Sequence, residues 1–537
     1  MTAFWPLILY RRIKNGDLPM KRIPVLVFGT LCLLGLFVIR TEAFSLLGPF
    51  RPWMTATNGF GPSNPVYFFS DIGGPMDIGK GYRWNIPVVT YGFDQSFLDY
   101  FGTNGVSAIE NAIQTLNDLP PASKVVLTNY TAQGGPQINY SAQAENLYDL
   151  KSMTLALLLE QMGLAQPTRF IYVVRQIDPT VMYPNSPFLI SQFWGPGGAI
   201  SNQIVLRNFD PETLGPTTYI NDSLYSGYLY VFASSDQTLE YAIPLSVPTD
   251  PLANGLAAAD ILSALNAGTF WNGLTRDDVG GLRYLLSTNN IAYETLLPGT
   301  LGIGTNTDSY VNGAWRPGID KITFVPQPFD DMVGQFLLMT NQFTDTYITN
   351  GILMHQPLQR VTTQPDFLFC AAGVKSGVLA VPFFERTGTT NWINNSALNG
   401  NPDDGGPGVI QPQIKIVFNK LGHDLVNVND ESATDRPIHW GTFDGSTNAP
   451  IAYPITQTGT DQFTIRMQLA KGSAPNEFQK YFDWSLTNSV GSVSLFQTST
   501  NLTDWVTIFS VTNDGSDWVF QDINPASARR FYRVVPQ

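Results

Sequence analysis

The chain has 537 residues, 43% of them hydrophobic, 12% aromatic and only 14% charged. That excludes a collagen-like or disordered polypeptide and gives length for about three or four domains. A net charge of −13 with 30 basic residues excludes a protein that binds nucleic acid by neutralising phosphates, while two Cys and three His exclude a disulfide framework and leave little metal-binding capacity.

The first element in chain order is an export signal. Lys21 and Arg22 precede an apolar run from Ile23 to Ile39, and Thr41-Glu42-Ala43 offers small residues for cleavage after Ala43. Residues 1–43 are read as an N-terminal extension and signal peptide, and the protein as secreted, periplasmic or held at the cell surface. The alternative is an uncleaved anchor, the one membrane association expected. The run is slightly short for a span and contains Pro24, Gly29 and Gly35. Without residues 1–43 the formal charge is about −17, which suits a soluble exported chain.

Residues 44–290 read as an α+β domain. After a Gly/Pro/aromatic entry segment over 44–81, Trp84 to Phe93 has strand character, and Val106, Ile109, Ile113 and Leu116 share one helical face that ends at Pro120-Pro121. The stretch NLYDLKSMTLALLLEQMG is apolar nearly all round, which predicts a buried helix closed by Gly163. A strand is expected over Arg169 to Val174, a third helix over 253–268, and a fourth helix from LTRDDVGGLRYLLS, where Thr275 and Asp278 form a capping box.

Beyond residue 290 helical periodicity stops. Runs such as KITFV, GQFLLM, TDTYITNGIL, PDFLFCAA and QIKIVFN predict a β-rich domain over 291–460. Residues 461–537 contain FTIRMQL, FDWSL, VSLFQTS, WVTIFSV, WVFQD and RFYRVV, whose spacing predicts a small β-sandwich. The fold class is thus multidomain: α+β, then β-rich, then sandwich. Cys370, in the apolar run DFLFCAAG, reads as a core thiol.

Two segments carry resemblances. Ser499 to Trp505 with the closing Arg530-Phe531-Tyr532-Arg533 resembles an accessory β-sandwich module at the ends of large secreted bacterial proteins, a module without chemistry of its own. The order strand, helix, buried helix ending Met162-Gly163-Leu164, then LTRDDVGGLRYLL resembles the metzincin-like layout of matrixin-type zinc proteases. That family carries HExxHxxGxxH, with two His one helical turn apart and a Glu that activates zinc-bound water. Here Ala156 and Glu160 stand at the first two ligand positions, Leu157 at the general base and Gln166 at the third ligand. VMYP at 181–184 is similar to the family's Met-turn, displaced downstream. The resemblance therefore implies a non-catalytic relative, a pseudoenzyme.

Little else carries chemistry. His355, His423 and His439 lie in separate contexts, and no Gly-x-Ser-x-Gly elbow occurs. Asp330-Asp331 and Asp403-Asp404 are acidic loops whose separation the sequence does not set. Asn427, Asn429, Asp430 and Glu431 form an oxygen-rich loop whose side chains either make turns or ligate calcium; no cofactor is expected, and calcium is the one candidate. Trp392 and Trp440 sit in polar, loop-like surroundings and are candidates to stack on sugar rings, against the favoured alternative that they plug cores between β-sheets. The expected function is an exported, non-catalytic surface protein that binds a polysaccharide or a protein at the cell surface. The alternatives are a secreted hydrolase, metalloprotease-like or a carboxylate glycosidase, and a self-assembling surface-layer or matrix component.

Overall fold

The computed structural model describes residues 42–55, 58, 60, 72–132, 135–176, 188–192, 203–233, 239–250, 252, 255–330, 333–372, 392–393, 409–410, 413–423, 435–454, 461–470, 478–488, 493–512, 518–522 and 530–536. Of the expected export signal all but Glu42 and Ala43, together with residues 181–184 and 427–431, lie outside them. Among the described residues strand exceeds helix, which makes this a β-rich, multi-sheet protein.

The entry segment is not merely extended. β1 (Phe44–Gly48) pairs antiparallel with β2 (Gly74–Met76), Leu46 opposite Met76. Next come β3 (Val88–Phe93) and α1 (Gln95–Asn117). Asp94 caps α1 by accepting from the Phe97 N–H at 3.0 Å, and the helix kinks at Gly102, where φ is 57°. Its buried face, Ile109, Ile113 and Leu116, follows the sequence periodicity. α2 (Leu150–Gln161) is capped by Asp149 and buries every residue but Lys151, as all-round apolarity demands. It stops at Gly163, whose φ of 101° and close approach to the Tyr82 carbonyl leave no room for a Cβ.

The expected strand at Arg169 starts later. Pro167 at a helix start makes Pro167–Phe170 a single helical turn, and β4 (Tyr172–Gln176) follows, pairing with β5 (Gln203–Leu206). The helix expected over 253–268 shortens to a tight turn at Ala258–Asp260 and the helix Ile261–Ala264. α3 (Arg276–Leu286) does carry the Thr275/Asp278 box. Asp278 accepts from the Thr275, Ala258 and Ala259 N–H groups at 2.8–2.9 Å, and Asp260 accepts from the Thr168 and Ala257 N–H groups. These two buried carboxylates staple three loops to one helix start, which replaces the missing helical turns. On the same helix start, Arg276 pairs with Glu42 at 3.2 Å, and Ala43 is fully buried.

The later strands are β6 (Ala292–Thr295), β7 (Thr300–Gly302), β8 (Gly313–Arg316), β9 (Thr323–Pro326), β10 (Met339–Thr349), β11 (Ile352–Thr362), β12 (Phe367–Ala372) and β13 (Ile414–Asn419). A boundary at residue 290 does not survive. β3 lies between β9 and β12 in a parallel four-stranded sheet, β9-β3-β12-β13, with α1 and α2 packed together beside it. Its strands are apolar runs, as buried parallel strands require. Trp84, Phe97, Phe101, Phe367, Phe369 and Phe418 form a continuous core through both halves of the chain. Cys370 lies in β12, buried as expected.

β6, β8, β10, β11 and β7 form a five-stranded antiparallel sheet in that order, dominated by the β10–β11 hairpin with Asn350-Gly351 at its turn. Arg360 on β11 holds this sheet to the core. Its guanidinium is bidentate on buried Asp366, which also accepts from the Thr90 N–H of β3. At the end of the chain, β14 (Asp461–Ala470), β15 (Phe478–Asn488) and β18 (Trp518–Asp522) make one sheet, and β16 (Val493–Ser499), β17 (Val506–Thr512) and β19 (Phe531–Pro536) another. Leu486 of the first packs on Phe496 and Val511 of the second.

Candidate binding face

Trp440 is not a surface platform. It opens the strand Trp440–Thr442, which pairs with Tyr148-Asp149 at the start of α2 and so draws the indole into the core. It is fully buried against Phe418 and Phe101, and its Nε1 donates to the Asn419 carbonyl at 2.7 Å. The polar loop around it hid a residue that pays for its burial by that hydrogen bond. The backbone of Trp392 lies in a two-residue strand, and its side chain is outside the described residues, as are the calcium-loop residues Asn427, Asn429, Asp430 and Glu431. Ala156, Leu157, Glu160 and Gln166 are all buried. Among the described residues no group of three His, Cys, Asp or Glu side chains converges as a metal site. His355 and His439 are exposed and far apart in the chain, and the side chain of His423 is not described.

What the fold presents is one face of the five-stranded sheet. Strand alternation and register place Tyr293, Trp315, Ile348 and Leu353 side by side across β6, β8, β10 and β11. At ~4.8 Å between strands, the row spans about 14 Å. Trp315 is 51% exposed and Leu353 54%. The Tyr293 and Trp315 rings meet edge to face at 5.7 Å, which fixes the indole. Beside the row, Thr346 and His355 share a hydrogen bond of 3.1 Å and supply polar atoms on the same face.

The opposite face explains why this one is rigid. Arg316, next to Trp315 in sequence, points inward and is bidentate on buried Asp345 at 2.9 and 3.1 Å. Its remaining N–H groups donate to the Glu294, Asn312 and Val311 carbonyls, so all five donors are used. Gln356 donates to Asp345 and, with Val311, closes the loop before β8. Arg83 adds a buried pair with Glu294 at 2.8 Å. A sheet pinned beneath by two ion pairs holds its outer side chains in place without a ligand, the arrangement that lowers the ordering cost of binding. At the hairpin tip the alternation loses its meaning: Ile352 and Met354 lie on the inner face yet are 61% and 40% exposed.

Sequence reading missed Trp315 because VNGAWRPG is flanked by turn residues on both sides. A signal was nevertheless there. Ile352-Leu353-Met354 are consecutive apolar residues beside an Asn-Gly turn, and a strand of period two cannot bury all three. The chain matches no protein-family model, no curated protein and no solved structure.

Proposed function

We propose that the chain is an exported, non-catalytic protein that binds a polysaccharide at the cell surface by stacking it along the Tyr293–Trp315–Ile348–Leu353 row. The observation that carries this reading is a half-exposed indole, wedged by Tyr293, on a sheet locked from behind by Arg316 and Asp345. Sugar rings offer C–H faces to such an indole, and hydroxyls to a Thr346–His355 pair; the row itself holds no acid or nucleophile for chemistry. Export is supported by the Lys21 to Ala43 segment of the sequence, and no described helix is long and apolar enough to cross a membrane. A second reading, a protein partner, is favoured by the exposed Ile352, Leu353 and Met354 at the hairpin tip, an apolar cluster of the kind that marks contact sites.

Co-sedimentation of the full chain with insoluble cellulose, chitin and bacterial cell wall tests the proposal. At least one polymer is expected to deplete the protein, and Trp315→Ala is expected to weaken that binding by about tenfold. Undiminished binding by Trp315→Ala, or release of soluble sugar by the wild-type chain, would sink it in favour of another face or of a hydrolase.

A further inference from the structure

The aromatic and aliphatic row is one arm of a larger surface, and the inference from that surface rests on the polysaccharide reading. From the Ile348–Leu353 pair the outer face continues along the β10–β11 hairpin. Register sets Thr346 opposite His355, Thr344 opposite Pro357, Gln342 opposite Gln359 and Thr340 opposite Val361. Thr340, Gln342 and Thr344 are exposed and two residues apart, so their hydroxyl and amide groups stand on one side at ~6.8 Å intervals. From Ile348 to Thr340 this polar track runs about 27 Å, nearly twice the row.

The two faces of the sheet differ in charge. Its five strands hold four residues that are Asp, Glu, Lys or Arg: Glu294, Arg316, Asp345 and Arg360. Alternation turns all four inward, where they are buried and ion-paired: Glu294 with Arg83, Arg316 with Asp345, and Arg360 with Asp366. The outer face, from Tyr293 to Val361, therefore carries none of these charges. That inverts the usual arrangement, in which a half-exposed sheet keeps its ions on the wet side and its apolar residues beneath. Water alone gives no reason to keep ions off an exposed face. A neutral ligand does, because an ion on the face would be stripped of water on binding with no counter-charge to offset that loss. Hydroxyls and amides meet the hydroxyls of such a ligand without that cost.

We infer that the ligand is an uncharged polysaccharide that covers both arms. Its rings stack on the row, and its hydroxyls pair with the Thr340–Gln342–Thr344 track. The two arms meet at Ile348 and Leu353, so a chain held by Trp315 reaches the track without leaving the sheet.

Sedimentation of the full chain with cellulose and with chitin tests this, with the polymer that binds carried into the variants. Binding should change less than about twofold between about 0.05 and 0.5 M sodium chloride, since no ion pair forms. Gln342→Ala combined with Thr344→Ala should weaken it about fivefold with an unchanged unfolding midpoint. Thr344→Lys and Thr344→Glu should both weaken it, because either ion is desolvated against a neutral chain. Gln342→Lys and Gln342→Glu repeat that pair should the Thr344 variants fail to fold. Opposite signs from the Lys and Glu variants, or binding lost at high salt, would overturn the uncharged class and point to an ionic polymer or a protein. Wild-type binding by the double alanine variant would overturn the second arm. Loss of affinity in Trp315→Ala alongside either of those results leaves the row reading standing and this inference refuted. An unaffected Trp315→Ala, or no polymer bound by the wild-type chain, sinks the row reading and this inference with it.

Discussion

Replacing Arg316 by Met removes all five donors while keeping an apolar stem of similar reach. Asp345, 4% exposed in its side chain, would be left with Gln356 Nε2 as its polar partner. Stranding one member of a buried pair costs about 3–5 kcal/mol. The Val311 and Asn312 carbonyls belong to exposed residues and can rehydrate, but Glu294 is buried, and its carbonyl adds about 1–3 kcal/mol. The total, about 4–8 kcal/mol, rivals the whole stability of a typical domain, about 5–15 kcal/mol. The five-stranded sheet is therefore expected to open in Arg316→Met, and with it the Trp315 row. Removing both charges, Arg316→Met with Asp345→Leu, should recover at least half of the loss, because a buried pair and an apolar pair differ little. Urea unfolding followed by hydrogen exchange on residues 313–316 and 343–349 reads this sheet directly. Protection within about 0.5 kcal/mol of wild type in the single variant, or a double variant no better than the single, would refute the reasoning.

Three further outcomes follow from the buried groups. Burial lifts the Asp149 carboxyl to about 6, against the hydrogen bonds from Ser152, and lifts Asp260 to about 7, against those from Thr168. Both folded values exceed the unfolded value of about 3.9, so the native state holds extra protons between roughly pH 4 and 7, and stability should fall as pH rises through that window. A urea midpoint that climbs steadily from about pH 5 to 7.5 would contradict this. Gly163→Ala would set a Cβ 2.1 Å from the Tyr82 carbonyl oxygen at a φ of 101°. It should cost about 2 kcal/mol or more, and an unaltered midpoint would count against the account of how α2 ends. Cys370, buried and with its thiol pKa raised by that burial, should take up iodoacetamide only after denaturation. Mass spectrometry showing alkylation at Cys370 in the native chain would place it at a reactive surface instead.

Local signals were legible in the sequence where one short segment holds all the physics. The Thr275/Asp278 box, the Gly163 stop, the all-round apolar α2 and the six closing strands are such cases. The central sheet was not. β3 pairs in parallel with strands more than 200 residues later, and no local pattern encodes which apolar runs become neighbours. The surroundings of Trp440 were hidden in part for the same reason: Phe418 comes from a strand shortly before it, but Phe101 arrives from a helix in the first part of the chain. Trp315 was hidden by pairing too, since its neighbours Tyr293 and Ile348 come from other strands of the sheet.

Hydroxyl-radical footprinting of the full chain, with and without a bound polysaccharide, tests the central claim most directly. Trp315, on the row, should lose reactivity on binding, Met354 on the other face of the hairpin should keep it, and buried Trp440 should be unreactive throughout. Protection of Trp315 and its row neighbour Tyr293, with Met354 unchanged, is the result the account predicts. A bound polymer that leaves Trp315 as reactive as before would contradict it.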